Sequence, residues 1–196
     1  MKHRTRIPAA EINGISGVAV KRFSMKKLGK VPESLGVMWH NQPVLKAMAG
    51  FSQKAERWNE CDHQLKAFAH MVVVAKIGCS FCLDFAYLNA HNENLDMVKA
   101  RDVLRWRESR VFTSLERDVL EYAEAMTESP PAVTDELSAR LLDQLGAPAL
   151  VELSAFIGAS NMAARTNVAL GIESEGFAEA KGLAPLAVPS AVPSLA

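Results

Sequence analysis

Apolar residues recur at three- and four-residue intervals along most of this chain, and no segment alternates with a period of two for long enough to form a strand. The pattern predicts an all-α protein. Residues 1–16 carry no period and read as an irregular arm. Residues 18–30 predict a short helix with Val20, Phe23 and Leu28 inward and Lys21, Arg22, Lys26, Lys27 and Lys30 outward, stopped by Pro32. A second helical region covers 34–58, interrupted near Pro43, with Leu35, Val37, Met38, Val44, Leu45, Met48 and Phe51 as packing residues. Asp62 then caps a helix over 63–77, which Gly78 terminates. Between Ala67 and Ala75 that helix is apolar almost all round, which marks it as central; His70 is its sole polar interruption.

A further helix is predicted over 80–92, with Phe81, Phe85 and Leu88 on one face and Asp84, Tyr87 and His91 on another. Asn94 is the expected cap of a short helix reaching Leu104. Thr113-Ser-Leu-Glu116 has the spacing of a capping box and opens a helix with Leu115, Val119, Tyr122 and Met126 inward, ended by Pro130 and Pro131. Thr134 or Asp135 begins another that closes at Gly146. A long last helix follows Pro148, with Leu150, Leu153, Ile157 and Val168 in a stripe, and ends at Gly171. Asn161 and Arg165 interrupt that stripe and need polar partners, which suits packing of termini or subunits. The expected layout is one domain over 1–177, including an arm and helix over 1–31, followed by a flexible Ala/Pro-rich tail over 178–196.

The chemistry concentrates at Lys76-Ile-Gly-Cys-Ser-Phe-Cys-Leu-Asp84. Cys79 and Cys82 are three positions apart at a predicted helix start, on one face and close enough to form a disulfide with each other. The unpaired N–H groups and dipole of a helix N-terminus favour thiolate over thiol, which disulfide exchange and peroxide attack both need. The pair therefore reads as a redox dithiol. Half of a zinc site and two buried cysteines are the other readings. No second Cys-x-x-Cys exists, and His3, His40, His63, His70 and His91 lack ligand spacing, so no metal or cofactor is expected. His70 and Asp84 are the candidates for moving the proton, each with a plainer role as a satisfied core imidazole or a helix-start carboxylate. Cys61 reads as a small buried hydrophobe.

Composition narrows this further. A chain of 196 residues, 49% hydrophobic and 22% charged, is globular and large enough for a real core. Lys+Arg and Asp+Glu are equal at 22, so no global charge draws it to nucleic acid or acidic lipid, and the basic residues of 18–30 are taken as a solvated face. The basic start is followed by Pro8 and Glu11 where a signal peptide would be apolar, and no apolar run reaches membrane-spanning length. A cytoplasmic protein with neither nucleic-acid nor membrane partner is expected.

Three blocks in this order resemble the carboxymuconolactone decarboxylase family, in particular its alkylhydroperoxidase D-like (AhpD-like), Cys-x-x-Cys-bearing branch. They are D-H-Q-L-K-A-F-A-H-M-V-V-V-A-K-I-G-C-S-F-C-L-D-F, W-R-E-S-R-V-F-T-S-L-E-R-D-V-L-E-Y-A-E-A-M and L-V-E-L-S-A-F-I-G-A-S-N-M-A-A-R-T-N-V-A-L-G-I, and the resemblance spans about residues 32–177. It implies an AhpD-like multi-helix bundle around a helical hairpin, a trimeric or hexameric homo-oligomer, and reduction of a small peroxide or disulfide through Cys79 and Cys82. An external thiol or lipoyl donor would supply the electrons. The family pattern places a glutamate twelve residues before the first cysteine and a histidine four after the second; here those positions are Ala67 and Ala86. Asp84 and His70 are the expected substitutes in the proton relay, and Lys76 is a further support for a thiolate. The alternatives are lactone chemistry like that of the family's namesake, against which the Cys-x-x-Cys argues, and a non-enzymatic oligomeric scaffold with a decayed site.

Overall fold

A computed structural model of the chain describes residues 5–189; residues 1–4, residues 190–196 and the Lys27 side chain lie outside what is described. Nine α-helices and no strand occur among the described residues. They are α1 (Gly14–Leu28), α2 (Glu33–Trp39), α3 (Gln42–Ala55), α4 (His63–Ile77), α5 (Ser80–Asn92), α6 (Met97–Asp102, continued by a 3₁₀ turn), α7 (Ser114–Thr127), α8 (Asp135–Ala169) and α9 (Phe177–Ala180). The expected all-α class holds.

The centre is α4, packed against α5, α7 and α8 at once, as its all-round apolar sequence requires. Phe68, Met71 and Val73 from α4 meet Leu120 of α7 and Leu141, Leu153 and Ile157 of α8 in a fully buried core. Its ends are set locally. Asp62 accepts the Leu65 N–H at 3.0 Å, and Gly78 takes φ 81°, where a side chain would be strained, while its N–H closes onto Ala75. That left-handed residue reverses the chain, so α4 and α5 form the expected hairpin. The α7 capping box is complete, with Thr113 and Glu116 bonding each other's backbone N–H.

Lys66, immediately before the apolar stretch of α4, is only 2% exposed. Its Nζ donates to Glu152 Oε1 of α8 and to the Trp58 carbonyl, both at 2.5 Å. Burial pushes the Glu152 carboxyl up, but hydrogen bonds from Lys66 and from the Glu60 and Cys61 backbone overturn that and hold it below its ordinary value. Cys61 beside them is free and buried, and burial raises its thiol to about 11.

Several local expectations fail where tertiary contacts decide. The first helix ends at Leu28 with Gly29, and Pro32 instead precedes α2. Phe23, expected inward, is 65% exposed, and Val44 and Phe51 of α3 are also open, while Ser24 is buried. Lys30 faces outward as expected, but it also pairs with Glu175 at 3.2 Å and lies over the Phe177 ring. Asp96, not Asn94, caps α6, accepting the N–H groups of Val98 and Lys99; Asn94 sits at φ 56° in the preceding turn. Asn161 and Arg165 both bind Thr127 and tie α8 to the end of α7, a structural role played within one chain and not at a chain terminus.

Gly146 (φ 78°, ψ 163°) is non-helical, so α8 is two helical segments that meet at a kink just before Pro148, where the sequence places a helix end and a new start. By length and composition alone α8 is long and apolar enough to cross a membrane, although Glu152, Asn161 and Arg165 interrupt its apolar residues. Its buried residues pack on α4 and α7.

The two ends of the described chain are tied down. The Arg6 backbone N–H donates to Leu170, and its guanidinium donates to the Val168 and Ala169 carbonyls, capping α8. The Ala10 N–H reaches Gly36, where a Cβ would stand 2.7 Å from that of Ala9, so only glycine admits the crossing. Residues 178–189, expected to be a loose tail, return to the body. Ala184 accepts the Tyr87 hydroxyl at 2.9 Å, the Ala187 N–H donates to Arg101, and Leu183 and Leu186 pack on the core.

Candidate functional site

Cys79 follows Gly78 directly and occupies the N-cap of α5, its sulfur accepting the Cys82 N–H at 3.3 Å. The helical turn between them brings the two Cα atoms to 5.3 Å, and the sulfurs are joined as a disulfide. The two are not equivalent. Cys79 is 1% exposed and faces Val74 of α4 and Ala164 of α8. Cys82 lines a cavity of about 340 Å³.

That cavity lies between α3, α4, α5 and α8, and its wall is mainly Phe81, Phe85, Phe156 and small alanines. Phe81 and Phe85 stack on one another, and each meets Phe177 edge-on, which holds the aromatic wall in place. Polar groups gather at the other side, where His63 and Glu93 pair at 2.7 Å beside Glu56. Ala67 and Ala86, the positions without the family's glutamate and histidine, both line the cavity. Only methyl groups stand at these two points of the wall.

His70 also lines the cavity. Its Nδ1 lies 2.8 Å from Ser160 Oγ, and the Ser160 hydroxyl donates to the Phe156 carbonyl at 2.8 Å. One hydroxyl proton cannot serve both bonds, so the imidazole carries its proton on Nδ1 and keeps the lone pair on Nε2. Burial lowers the His70 pKa from 6.5 to about 4, so the ring is neutral at ordinary pH and available as a proton acceptor.

Asp84 is placed differently. Its carboxylate accepts the Ser174 hydroxyl at 2.7 Å and the Phe177 and Ala178 N–H groups at 2.8 Å each. Both oxygens are occupied in capping α9, and Asp84 is not part of the cavity wall. Lys76, expected to support a thiolate, pairs with Glu128 at 2.7 Å. Of the four sequence candidates, the structure brings Cys82 and His70 to one cavity, sets Cys79 behind Cys82, and sends Asp84 to the α9 junction.

Two further residues escaped the sequence reading. Ser160 fixes the His70 tautomer, and Asn167, in the last turn of α8, donates its side-chain amide to Cys82 Sγ at 3.2 Å. Their only local signal is polarity within an apolar helix; what they touch lies 85 to 90 positions away. Among the described residues no group of histidine, cysteine and carboxylate side chains is arranged to hold a metal ion.

No family model matches the chain. It is 41% identical over 99 residues to YnjA, an uncharacterized protein of Escherichia coli strain K12. The match takes in 50% of this chain and 54% of YnjA, so the chain spans about half the length of that curated relative. Among solved structures, the debrominase Bmp8 superimposes with a TM-score of 0.76 at 21% identity over 92% of this chain and 96% of Bmp8. A cysteine-to-alanine variant of Bmp8 in complex with 2,3,4-tribromopyrrole matches as well, at 0.76. A protein of unknown function from Agrobacterium tumefaciens, named for AhpD-type antioxidant defence, gives 0.66 at 21% identity over 70% of this chain and 94% of that one. An uncharacterized peroxidase-related protein from Silicibacter sp. TM1040 gives 0.72 at 17% over 90% and 97%. At these identities the likeness concerns the fold, which is AhpD-like.

Proposed function

We propose that this protein is a thiol-dependent oxidoreductase that reduces peroxides or disulfides through Cys79 and Cys82. One observation carries the reading: a disulfide-forming cysteine and a neutral histidine open onto the same apolar cavity. Cys82 is the attacking thiol because it faces that space, and Cys79 resolves. In the reduced protein, His70 Nε2 relays the Cys82 proton without holding it, because burial disfavours the imidazolium. The thiolate attacks the distal peroxide oxygen, the O–O bond breaks, and the departing alkoxide leaves as alcohol with the proton relayed through His70. Cys79 then attacks the Cys82 sulfenic acid, water leaves, and the disulfide forms. An external dithiol or lipoyl group, itself oxidised to a disulfide, restores both thiols. In this reading Asp84 has a structural role. The protein works as a cytoplasmic homo-oligomer of the trimeric or hexameric kind, a proposal supported by apolar residues left open on α1 and α3, among them Ile15 and Phe23.

The aromatic wall favours a second reading, reductive dehalogenation of a small aromatic compound, the activity named for Bmp8. The same dithiol would exchange a carbon–halogen bond for carbon–hydrogen and release halide as the disulfide forms. The experiment is a redox titration of the pair in glutathione and dithiothreitol buffers, followed by turnover of tert-butyl hydroperoxide with dihydrolipoamide. The expected result is a reversible couple within about −270 to −120 mV and turnover abolished by Cys82→Ser. Equal turnover by wild type and Cys82→Ser, or no disulfide at any poise, would refute the thiol mechanism. Turnover of a bromopyrrole with no peroxide turnover would select the second reading.

A further inference from the structure

The two sulfurs of the pair draw on different donors. Cys79 has the helix start: its sulfur accepts a backbone N–H in the first turn of α5. Cys82 lies inside that turn, and only 7% of its surface is exposed, so little water reaches it. A thiolate in such a position needs a donor from elsewhere. Across the cavity stand Glu56 and the His63–Glu93 pair, none of which donates to the sulfur, and the nearer charged and titratable groups are committed or neutral. Lys76 is paired with Glu128, Asp84 holds α9, His70 is neutral and bonded to Ser160, and Arg6 covers the carbonyls at the end of α8.

What does reach the sulfur is an amide. Asn167 Nδ2 stands 3.2 Å from Cys82 Sγ. Its backbone carbonyl accepts the Leu170 and Ile172 N–H groups at 3.2 and 2.9 Å, which fixes the residue at the helix end. The guanidinium of Arg6 offsets the negative end of the α8 dipole one and two residues further on. We infer that Asn167 is a further catalytic residue, whose amide holds the Cys82 thiolate; this rests on the dithiol reading above. An amide does not titrate, so it stabilises the anion without competing for the proton that His70 relays. A thiolate is a stronger acceptor than a disulfide sulfur, so the bond tightens when the pair is reduced and makes the couple more oxidising.

The test is the pH dependence of Cys82 alkylation by iodoacetamide in the reduced full-length chain, with sites separated by fragment-ion mass spectrometry. Asn167→Leu keeps the side chain's size and removes the donor, and Asn167→Ala removes it together with the bulk; neither adds a charge. In both, the Cys82 midpoint is expected to rise by about 1–2 pH units, while Cys79 moves little. The disulfide becomes about tenfold easier to form, a potential about 30 mV more negative. Midpoints within about 0.3 of wild type would overturn the assignment. Independently of any variant, the Asn167 side-chain amide proton resonance of the wild type should shift with the same midpoint as Cys82 alkylation; a resonance unmoved by pH and by reduction would also overturn it. Neither measurement needs turnover, so an inactive wild type would count against the oxidoreductase reading while the midpoints still decide the role of Asn167.

Discussion

His70 makes a measurable link between the cavity and the stability of the whole fold. Burial takes its pKa from 6.5 to about 4, so below neutrality the unfolded chain binds a proton that the folded chain refuses. The sign follows directly. Stability is unaffected above about pH 7, falls as the pH drops through 6.5, and stops falling below the folded value near 4. At about 1.4 kcal/mol per pH unit, the full loss is about 3 kcal/mol, less whatever hydration the cavity face of the ring receives. The assay is urea unfolding of the oxidised protein, followed by circular dichroism at pH 7.5, 6.5, 5.5 and 4.5, for wild type and His70→Gln. At pH 7.5 the variant should be less stable by about 1 kcal/mol, for the lost bond to Ser160. As the pH falls the gap should close and then invert, reaching about 1–2 kcal/mol in the variant's favour at pH 4.5. Carboxylates that titrate in this range are present in both chains and cancel in the difference. A gap constant to within 0.5 kcal/mol over the whole range would refute the buried neutral imidazole; ~0.5 kcal/mol is the scatter of such comparisons.

Two other predictions address groups whose roles the structure separates. Asp84→Ala removes the acceptor for the Phe177 and Ala178 N–H groups and should cost about 2–3 kcal/mol, about 5–10 °C in Tm, while the alkylation rate of Cys82 in the folded protein stays unchanged; a large change in that rate with little change in Tm would return Asp84 to the chemistry. Lys66→Met leaves Glu152 buried without its counter-charge and should cost about 3–5 kcal/mol in urea melts, most of it recovered in Lys66→Met/Glu152→Gln; a double variant no more stable than the single would show that the loss lies in packing.

What the sequence makes legible is what local chemistry decides. Asp62, Gly78, Thr113 and Glu116 act within one turn of themselves, and the helices they bound appear where the pattern places them. Asn94 and Asp96 are both plausible caps by type, and only the backbone of the turn, which puts Asn94 at positive φ, chooses between them. Asp84 is read as a first-turn carboxylate, but its partners lie in α9, some 90 residues on. A four-residue helix leaves no period by which to find it. Phe23, Val44 and Phe51 carry the right residue types for a core, and their exposure reflects how lightly α1 and α3 lie on the bundle. The cysteines were legible as a pair; which of them faces the cavity was not, since that depends on the packing of α4 and α8.

The bond from Arg6 to the end of α8 sets an order of events during synthesis. Residues 5–10 are synthesised well before their partners at 168–170, which follow roughly 8–30 s later at ordinary elongation rates. Until then the helical hairpin and its cysteines have neither Asn167 nor the guanidinium clasp beside them. The nascent thiols therefore spend that interval in a different environment from the one they keep, and closure of this long loop completes their surroundings only once the end of α8 has been made.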